Sequence, residues 1–195
     1  MDALAGHTGR CVALRRDDVD TDQIIPAQFC KRLTKSGYED ALFASWMKDP
    51  EFVLNQPERR DASVLVAGHN FGTGSSREHA VWALRDWGFA VVIATSFGDI
   101  FRRNALRNGL LAVELPEAAV AELADRADGD AQSEIEVDLV AQEVRAGGLR
   151  HEFSVDEQAR WLLLNGLDHI AVTLEKDAAV EAHERSRPPW LPSVR

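Results

Sequence analysis

The chain has little cysteine. Its 195 residues include only Cys11 and Cys30, and neither belongs to a metal-binding spacing motif. Two unrelated thiols cannot form a zinc site or supply the three or four thiolates of an iron–sulfur cluster. We therefore expect two reduced cysteines, as in most cytoplasmic proteins, and neither a metal site nor a bound cofactor on this chain.

Long apolar runs and a basic excess are also missing. No stretch is long enough to span a bilayer, and the first ten residues lack the apolar core of a signal peptide. The 22 Lys and Arg residues oppose 32 Asp and Glu residues, which gives a formal net charge of −10. This balance disfavours nucleic acid and anionic membranes as partners, so an anionic ligand would need a local pocket. We expect a cytoplasmic protein.

From residue 63 onward, short apolar runs alternate with amphipathic helical segments, which is the pattern of parallel βαβ units. The sequence predicts an α/β fold in which a mostly parallel central sheet is flanked by helices, with a small antiparallel hairpin and C-terminal helices. Strands are expected at residues 11–14, 63–67, 89–94 and 110–115, followed by the shorter strands of the hairpin at 135–139, 143–145 and 151–153. Helices are expected at residues 78–87, 99–108, 117–127, 155–165 and 176–185.

The length suits one domain spanning residues 1–195. Within it we expect a flexible N-terminus over residues 1–10 and an extended, proline-containing tail over residues 187–195. Residues 26–60 read as a long loop region with one short helix at 41–47. A connection of this length without clear elements is more often functional or mobile than inert.

The most informative segment is GHNFGTGSSREHAVWAL at residues 68–84, a glycine-rich turn between an apolar run and an apolar helix. Gly72 and Gly74 permit positive φ and let a ligand approach the main chain. Two nucleotide motifs fail here. No lysine precedes Ser75, as a P-loop requires, and Arg77 stands where the dinucleotide fingerprint needs its third glycine.

Two interpretations of the turn remain open. Ser75 and Glu78 fit a capping box, which would only begin the helix. Alternatively, Arg77 grips a carboxylate, and Ser75 acts as a base whose alkoxide is stabilised by N–H donors and nearby cations. That chemistry requires a Lewis acid brought by a second chain. The candidate substrate-binding residues are Thr73, Gly74, Ser76 and Arg77.

The turn sequence NFGTGSSREHA resembles the signature of the swivelling domain of the aconitase superfamily. The blocks DDVDTDQIIP (17–26), ATSFGDIFRRNALRNGLL (94–111) and LLLNGLDHIAVTL (162–174) resemble the separate small subunits of 3-isopropylmalate dehydratases. The resemblance extends over most of the chain. It implies a swivelling β/α domain that belongs to a hydro-lyase of leucine biosynthesis, which interconverts 2-isopropylmalate and 3-isopropylmalate by loss and re-addition of water.

The resemblance also implies a division of labour between two chains. A large subunit carries a [4Fe–4S] cluster, and this chain closes over it in a heterodimer or larger complex that acts on a small dicarboxylate. By position, Ser75 is the proton-abstracting alkoxide, while Ser76 and Arg77 bind a substrate carboxylate. Two alternatives stay open: a substrate such as homoaconitate or another malate homologue, and a non-catalytic anion-binding or regulatory module with the same fold.

In the family that this chain resembles, the segment after DTDQIIP recognises the third substituent of the substrate. Here it spans about residues 26–38. Phe29 and Leu33 are candidates for contact with an isopropyl group, whereas Lys31 or Arg32 facing inward would favour a third carboxylate. The charge of the residues that face this substituent decides between an isopropyl group and a carboxylate, because an unmatched buried charge costs several times what one methyl contact contributes.

Two further sets of residues each allow a purely structural and a functional interpretation. Residues of the DTD block either line the site or only form a turn between two strands; they are Asp20, Thr21 and Asp22. A basic helix face is either solvated or in contact with an acidic partner; it comprises Arg102, Arg103 and Arg107.

Overall fold

The structure, a computed structural model, describes residues 2–188 and 190–191. Its strands are β1 (Gly6–Leu14), β2 (Val64–Ala67), β3 (Val91–Ala94), β4 (Leu111–Glu114), β5 (Glu134–Asp138), β6 (Glu143–Ala146) and β7 (Leu149–Glu152). Its α-helices are α1 (Thr21–Ile24), α2 (Glu78–Trp87), α3 (Asp99–Arg107), α4 (Glu117–Gly129), α5 (Glu157–Asn165), α6 (His169–Leu174) and α7 (Asp177–Ser186).

The seven strands form one mixed sheet in the order β4-β3-β2-β1-β5-β6-β7. Strands β1 to β4 run parallel, and β5 to β7 add an antiparallel half. The predicted α/β class with a parallel core is therefore confirmed. The hairpin is not a separate element, however, because β5 pairs with β1 and continues the same sheet.

The N-terminal segment differs from the expectation of flexibility over residues 1–10. Residues 6–10 form the first half of β1 and pair antiparallel with β5, while residues 11–14 pair parallel with β2. Upstream of the strand, the Leu4 N–H donates to the carbonyl of Leu163 at 2.8 Å. These residues are ordered because β5 would otherwise be an unpaired edge. At the other end, the predicted tail falls partly on residues 189 and 192–195, which lie outside the described residues.

Helices cover both faces of the parallel strands, which explains the continuous apolar runs VLVA and VVIA. Side chains alternate along β2: Leu65 faces a core built with α2, α3 and residues 24–54, and Val66 faces a core built with α4 and α5. Full burial of each such side chain contributes about 1.5–3 kcal/mol. The two cores fix the strand ends, and with them the loops that follow the strands.

Residues 26–60, expected as a long loop region, are mostly packed against the core. They contain four short 3₁₀ helices, Ala27–Lys31, Trp46–Lys48, Val53–Asn55 and Pro57–Arg59. Tyr38 and Phe43 are fully buried, and the Phe43 ring stacks on Trp46 at 5.2 Å between centroids. The expected helix at 41–47 is a series of turns that leads into the second 3₁₀ helix. Residues 33–37 form the exposed tip. Within the described residues, no helix has the length and hydrophobicity needed to cross a bilayer.

Candidate active site

The loops that follow β1, β2 and β3 meet at one edge of the sheet. The Gly72 N–H donates to the Val19 carbonyl at 2.7 Å, and the Phe71 N–H donates to the Ser96 carbonyl at 3.0 Å. The Gly98 N–H returns a bond to the Phe71 carbonyl at 2.9 Å. In open α/β sheets, ligands bind outside the carboxyl ends of the parallel strands, and the glycine-rich turn lies there.

Close packing requires glycine at two of these positions. Gly72 has a φ of 76°, and a Cβ added to it would lie 2.2 Å from the Phe101 ring. A Cβ on Gly98 would lie 2.6 Å from the Gly72 carbonyl oxygen. The start of α3 therefore rests directly on the turn, and the turn can project only toward solvent.

The amino end of α2 is open. Arg77 is the N-cap residue, and no side chain caps the helix, so Ser75 and Glu78 do not form the capping box. Glu78 instead accepts a hydrogen bond from the Asn108 amide at 2.7 Å. Within the described part of the chain, four consecutive backbone N–H groups donate to no protein acceptor. These belong to Gly74, Ser75, Ser76 and Arg77, and they form a cluster of donors at the positive end of the helix dipole.

The DTD block holds the buried side of this turn through hydrogen bonds. Asp20 caps α1 by accepting the Gln23 N–H at 2.7 Å. Thr21 is buried, with 2% of its surface exposed; its N–H donates to the Thr73 carbonyl at 3.0 Å and its hydroxyl donates to the Ser75 carbonyl at 2.9 Å. These bonds fix the backbone of Ser75 while its side chain stays on the exposed side.

Arg77 forms an ion pair with Asp22. Its Nη1 also donates to the Ile25 carbonyl at 3.3 Å. The hydrogen bond that Arg77 donates to the Asp22 carboxylate raises the pKa of Arg77 above its ordinary value, so the guanidinium stays charged. Asp22 thereby offsets a cation that the dipole of α2 disfavours. Both contacts use Nη1, and among the described residues Nε and Nη2 have no acceptor.

The exposed tip after α1 is organised by Arg32. Its guanidinium donates to both Asp40 carboxylate oxygens at 2.7 Å each and lies over the Phe29 ring at 5.0 Å. The Arg32 guanidinium holds the pKa of Asp40 below its usual range. Leu33 is fully exposed, and Lys31 is exposed beside it. Phe29 is half-buried and packs against the core.

The structure therefore brings most of the candidate residues into one contact network. The turn from Thr73 to Arg77 is bonded to the DTD block, and the segment that leads into the tip joins it through Ile25. Arg32 is engaged within its own loop. The side chains of Ser75 and Ser76 are exposed, and none of the described residues covers them.

Sequence reasoning missed a second layer of residues beneath the turn. Asn70 adopts a φ of 55°; its N–H donates to the Ser96 hydroxyl at 2.9 Å and its amide to Asp18 at 2.8 Å. The His69 N–H donates to Asp17 at 2.7 Å. The available signal was the Asp-Asp pair before the DTD block, together with an asparagine in a loop, because asparagine tolerates the left-handed region.

The residues do not fit an iron–sulfur cluster. No group of three or more His, Cys, Asp or Glu side chains within the described residues could hold a metal ion. Cys11 is buried with its thiol donating to the Ser133 carbonyl at 3.3 Å, and Cys30 is half-buried. Both cysteines are free.

Comparisons with known proteins give a consistent result. The family model of the aconitase C-terminal domain matches residues 1–118. The 3-isopropylmalate dehydratase small subunit of Streptomyces coelicolor is 57% identical over 194 residues, covering 100% of this chain and 98% of the relative. That of Acidothermus cellulolyticus is 54% identical over 195 residues, covering 100% and 99%. The crystal structure of 3-isopropylmalate dehydratase (leuD) from Methanocaldococcus jannaschii superimposes with a TM-score of 0.66 at 28% identity, covering 92% of this chain and 99% of that one.

Proposed function

The chain belongs to the family of 3-isopropylmalate dehydratase small subunits, and from this premise we propose that its turn at residues 72–77 supplies the base and the carboxylate site of the reaction. The family function is that of a lyase subunit in leucine biosynthesis. The supporting observation is a run of unbonded N–H groups beside two exposed serines and a charged arginine. Such a cluster matches a carboxylate.

Ser75 acts as the base in its alkoxide form. Its Oγ takes a proton from the carbon next to a substrate carboxylate, the C–H electron pair becomes part of the new double bond, and hydroxide leaves the neighbouring carbon. In the reverse sense, the Ser75 hydroxyl returns its proton to the carbon that lost hydroxide and becomes an alkoxide again, and hydroxide adds to the other carbon. The first substrate is thereby converted to its isomer without net loss of water.

Arg77 and the turn N–H groups bind the carboxylate beside the reacting carbon. As the proton leaves, that carboxylate gains negative charge and approaches a doubly charged form. Arg77 Nε and Nη2, the N–H groups and the positive end of α2 stabilise this state more than the ground state. Asp22 keeps the guanidinium oriented through Nη1. The same donors lower the cost of an alkoxide at Ser75.

A large subunit completes the site. Ser75 is exposed in this chain, and a serine alkoxide requires exclusion of water, so a second chain must cover the turn. The residues that the structure describes do not fit a cluster, and in this proposal the large subunit holds the [4Fe–4S] group, which would polarise the substrate hydroxyl. Two free cysteines suit a reducing compartment, and we place the complex in the cytoplasm.

The exposed tip at residues 33–37 selects the third substituent. Arg32 is tied to Asp40 by two hydrogen bonds, which keeps its charge from the substrate. Leu33 is fully exposed and offers an apolar surface to the isopropyl group. A tricarboxylate such as homoaconitate would require a free cation in this place, so the Arg32–Asp40 pair favours isopropylmalate.

The test is Ser75→Ala in the complex with the large subunit. We expect kcat to fall by about 10²–10⁴-fold, because a positioned base contributes this much, with a smaller change in KM. Ser76→Ala should mainly raise KM, and Ser186→Ala, at the end of α7, should have no effect. A Ser75→Ala complex with the kcat of the unmodified enzyme would show that the turn only binds an anion.

A further inference from the structure

A cleft of about 630 Å³ lies between α3 and α5, separate from the turn at residues 72–77. Its floor is apolar and buried, with Leu106, Val155 and Leu162 each less than 10% exposed. Its rim is basic, because three arginines of α3 line it. These are Arg102, Arg103 and Arg107. An apolar floor with a charged rim is a shape that receives an amphipathic ligand.

The positive charge of the rim is only partly neutralised within the chain. Arg102 pairs with Glu114 at 3.1 Å, yet its Nε is buried and has no acceptor among the described residues. Arg103 and Arg107 are exposed and stand four residues apart, on the same side of α3. Two acids of the described chain line the cleft: Asp156 is occupied in capping α5, where it accepts the Ala159 N–H at 3.0 Å, and Asp99, in the first turn of α3, lies near the positive end of that helix. A basic rim on a chain of net charge −10 attracts acidic groups locally.

The cleft adjoins the candidate active site. Helix α3 begins at Asp99, directly after Gly98, whose backbone contacts Phe71 and Gly72 in the glycine-rich turn. At a rise of about 1.5 Å per residue, Arg103 lies about 6 Å and Arg107 about 12 Å along the axis from that end. A standard interface covers about 800 Å² on each partner, which is a disc of about 16 Å radius. A protein that covers the turn therefore reaches the rim.

We propose that this cleft seats an acidic segment of the large subunit, with carboxylates on Arg103 and Arg107 and an aliphatic side chain on the floor at Leu106 and Leu162. The inference rests on the proposed function, which places the large subunit over the turn. A protein segment fits better than a small anion, because both arginines are exposed and would leave a small anion hydrated. Exposed rim charges act mainly on association with a protein partner.

The test measures the affinity of the chain for its large subunit by titration calorimetry at low and high salt. Arg103→Glu and Arg107→Glu should each weaken binding about tenfold at low salt, and the difference should shrink at high salt, since exposed charges are screened. The kcat at saturating large subunit should stay within about twofold, because neither residue belongs to the catalytic turn. The control is Arg60→Glu, an exposed residue at the amino end of the parallel strands with the same change in charge.

Arg103→Gln and Arg107→Gln guard against misfolding, because they remove charge without adding a carboxylate to α3; each should give a smaller loss of affinity in the same direction. If the unmodified chain fails to bind the large subunit, the proposed function is wrong. If it binds and all position-103 and position-107 variants match Arg60→Glu, the cleft is not part of the interface. Calorimetric binding of citrate to the isolated chain that these variants abolish, with assembly unchanged, would also overturn the proposal by showing a small-anion site.

Discussion

Thr21 joins the DTD block to Ser75, the proposed base, through one hydroxyl. It is buried, and its Oγ1 donates to the Ser75 carbonyl at 2.9 Å. Thr21→Val keeps the shape but leaves that carbonyl without its donor, which costs about 1–3 kcal/mol where the group is buried. We expect the free energy of unfolding to fall by about 1 kcal/mol and kcat by about tenfold, since the turn loses its fixed backbone. Denaturant titration and steady-state kinetics of the complex measure the two effects.

The matched variant for Thr21 is Thr21→Ser, which retains the hydroxyl and should recover most of the lost kcat. Recovery separates a positioning role from simple loss of packing, because serine removes the methyl group and keeps the donor. Equal kcat in the valine variant and the unmodified enzyme would show that the bond does not position Ser75.

The buried thiol of Cys11 should make the free energy of unfolding fall at alkaline pH. Burial raises the pKa of its thiol from 9.0 to about 11. The unfolded thiol therefore ionises first, and the stability contributed by Cys11 is complete below about pH 9 and is lost as the pH rises toward about 11. The free energy of unfolding, measured from pH 8 upward, should fall less steeply in Cys11→Ala than in the unmodified chain. Identical slopes would contradict the assignment.

At the scale of elements, we expect the Arg32–Asp40 ion pair in the segment after α1 to affect substrate specificity. Asp40→Asn removes the carboxylate that pairs with Arg32 and leaves its guanidinium in contact with the Gly37 carbonyl and the Phe29 ring, so it can turn toward a third carboxylate more easily. We expect the ratio of kcat/KM for a tricarboxylate homologue to that for 3-isopropylmalate to rise several-fold. Activity assays of the assembled enzyme with both substrates give this ratio.

The control for the tip is Glu39→Gln, which changes the same charge one residue away without touching the bidentate pair. Asp40 has a lowered pKa, so its contribution is present at neutral pH and is lost only as the pH falls below about 3.8. The Arg32–Asp40 pair is therefore intact under assay conditions. If the two variants give the same ratio of kcat/KM, Asp40 does not restrain Arg32 in the way proposed.

The elements that sequence predicts well are those with local signals. Helix α2 has the predicted bounds Glu78–Trp87, because its apolar face lies within the segment and Gly88, with a φ of 119°, ends the helix directly after it. The start of β1 was missed because its order depends on β5, more than a hundred residues away. Helix α6 was not predicted because it is only six residues long and none of its side chains is buried.

The candidate site also has one part that the local sequence predicts and one part that it does not. Residue types and glycines identify the turn, since the chemistry of an anion site needs them in sequence order. The bond from Thr21 to Ser75 and the pairing of Arg77 with Asp22 join residues more than fifty positions apart. Such contacts follow from how the loops after β1 and β2 meet, and sequence spacing does not reveal them. The roles of these residues stay predictions until the variants are assayed.

At the scale of the whole molecule, burial divides the chain into a stable sheet and an exposed end. Strands β2 and β3 are buried along their full length, whereas α6 and α7 contain no buried residue. Local opening costs least where few apolar contacts are broken. Hydrogen exchange of the isolated chain should therefore be slowest in the parallel strands and fastest in α6, α7 and the tip at residues 33–37.

Addition of the large subunit should change this exchange pattern on one side of the molecule only. The turn at residues 72–77 and helix α3 should gain protection together, because the proposed base at Ser75 needs a dry site and the basic rim adjoins it. The tight turn of the hairpin between β6 and β7 should keep its exchange rate, since it lies at the far edge of the sheet, beyond β1 and β5, and the cleft is lined by residues of α3 and by residues that follow β7. Mass spectrometry of peptides from the free and assembled chain resolves these segments. If this hairpin gained protection and the turn at residues 72–77 did not, the large subunit would lie on the β7 side of the sheet, and Ser75 could not reach a substrate held there.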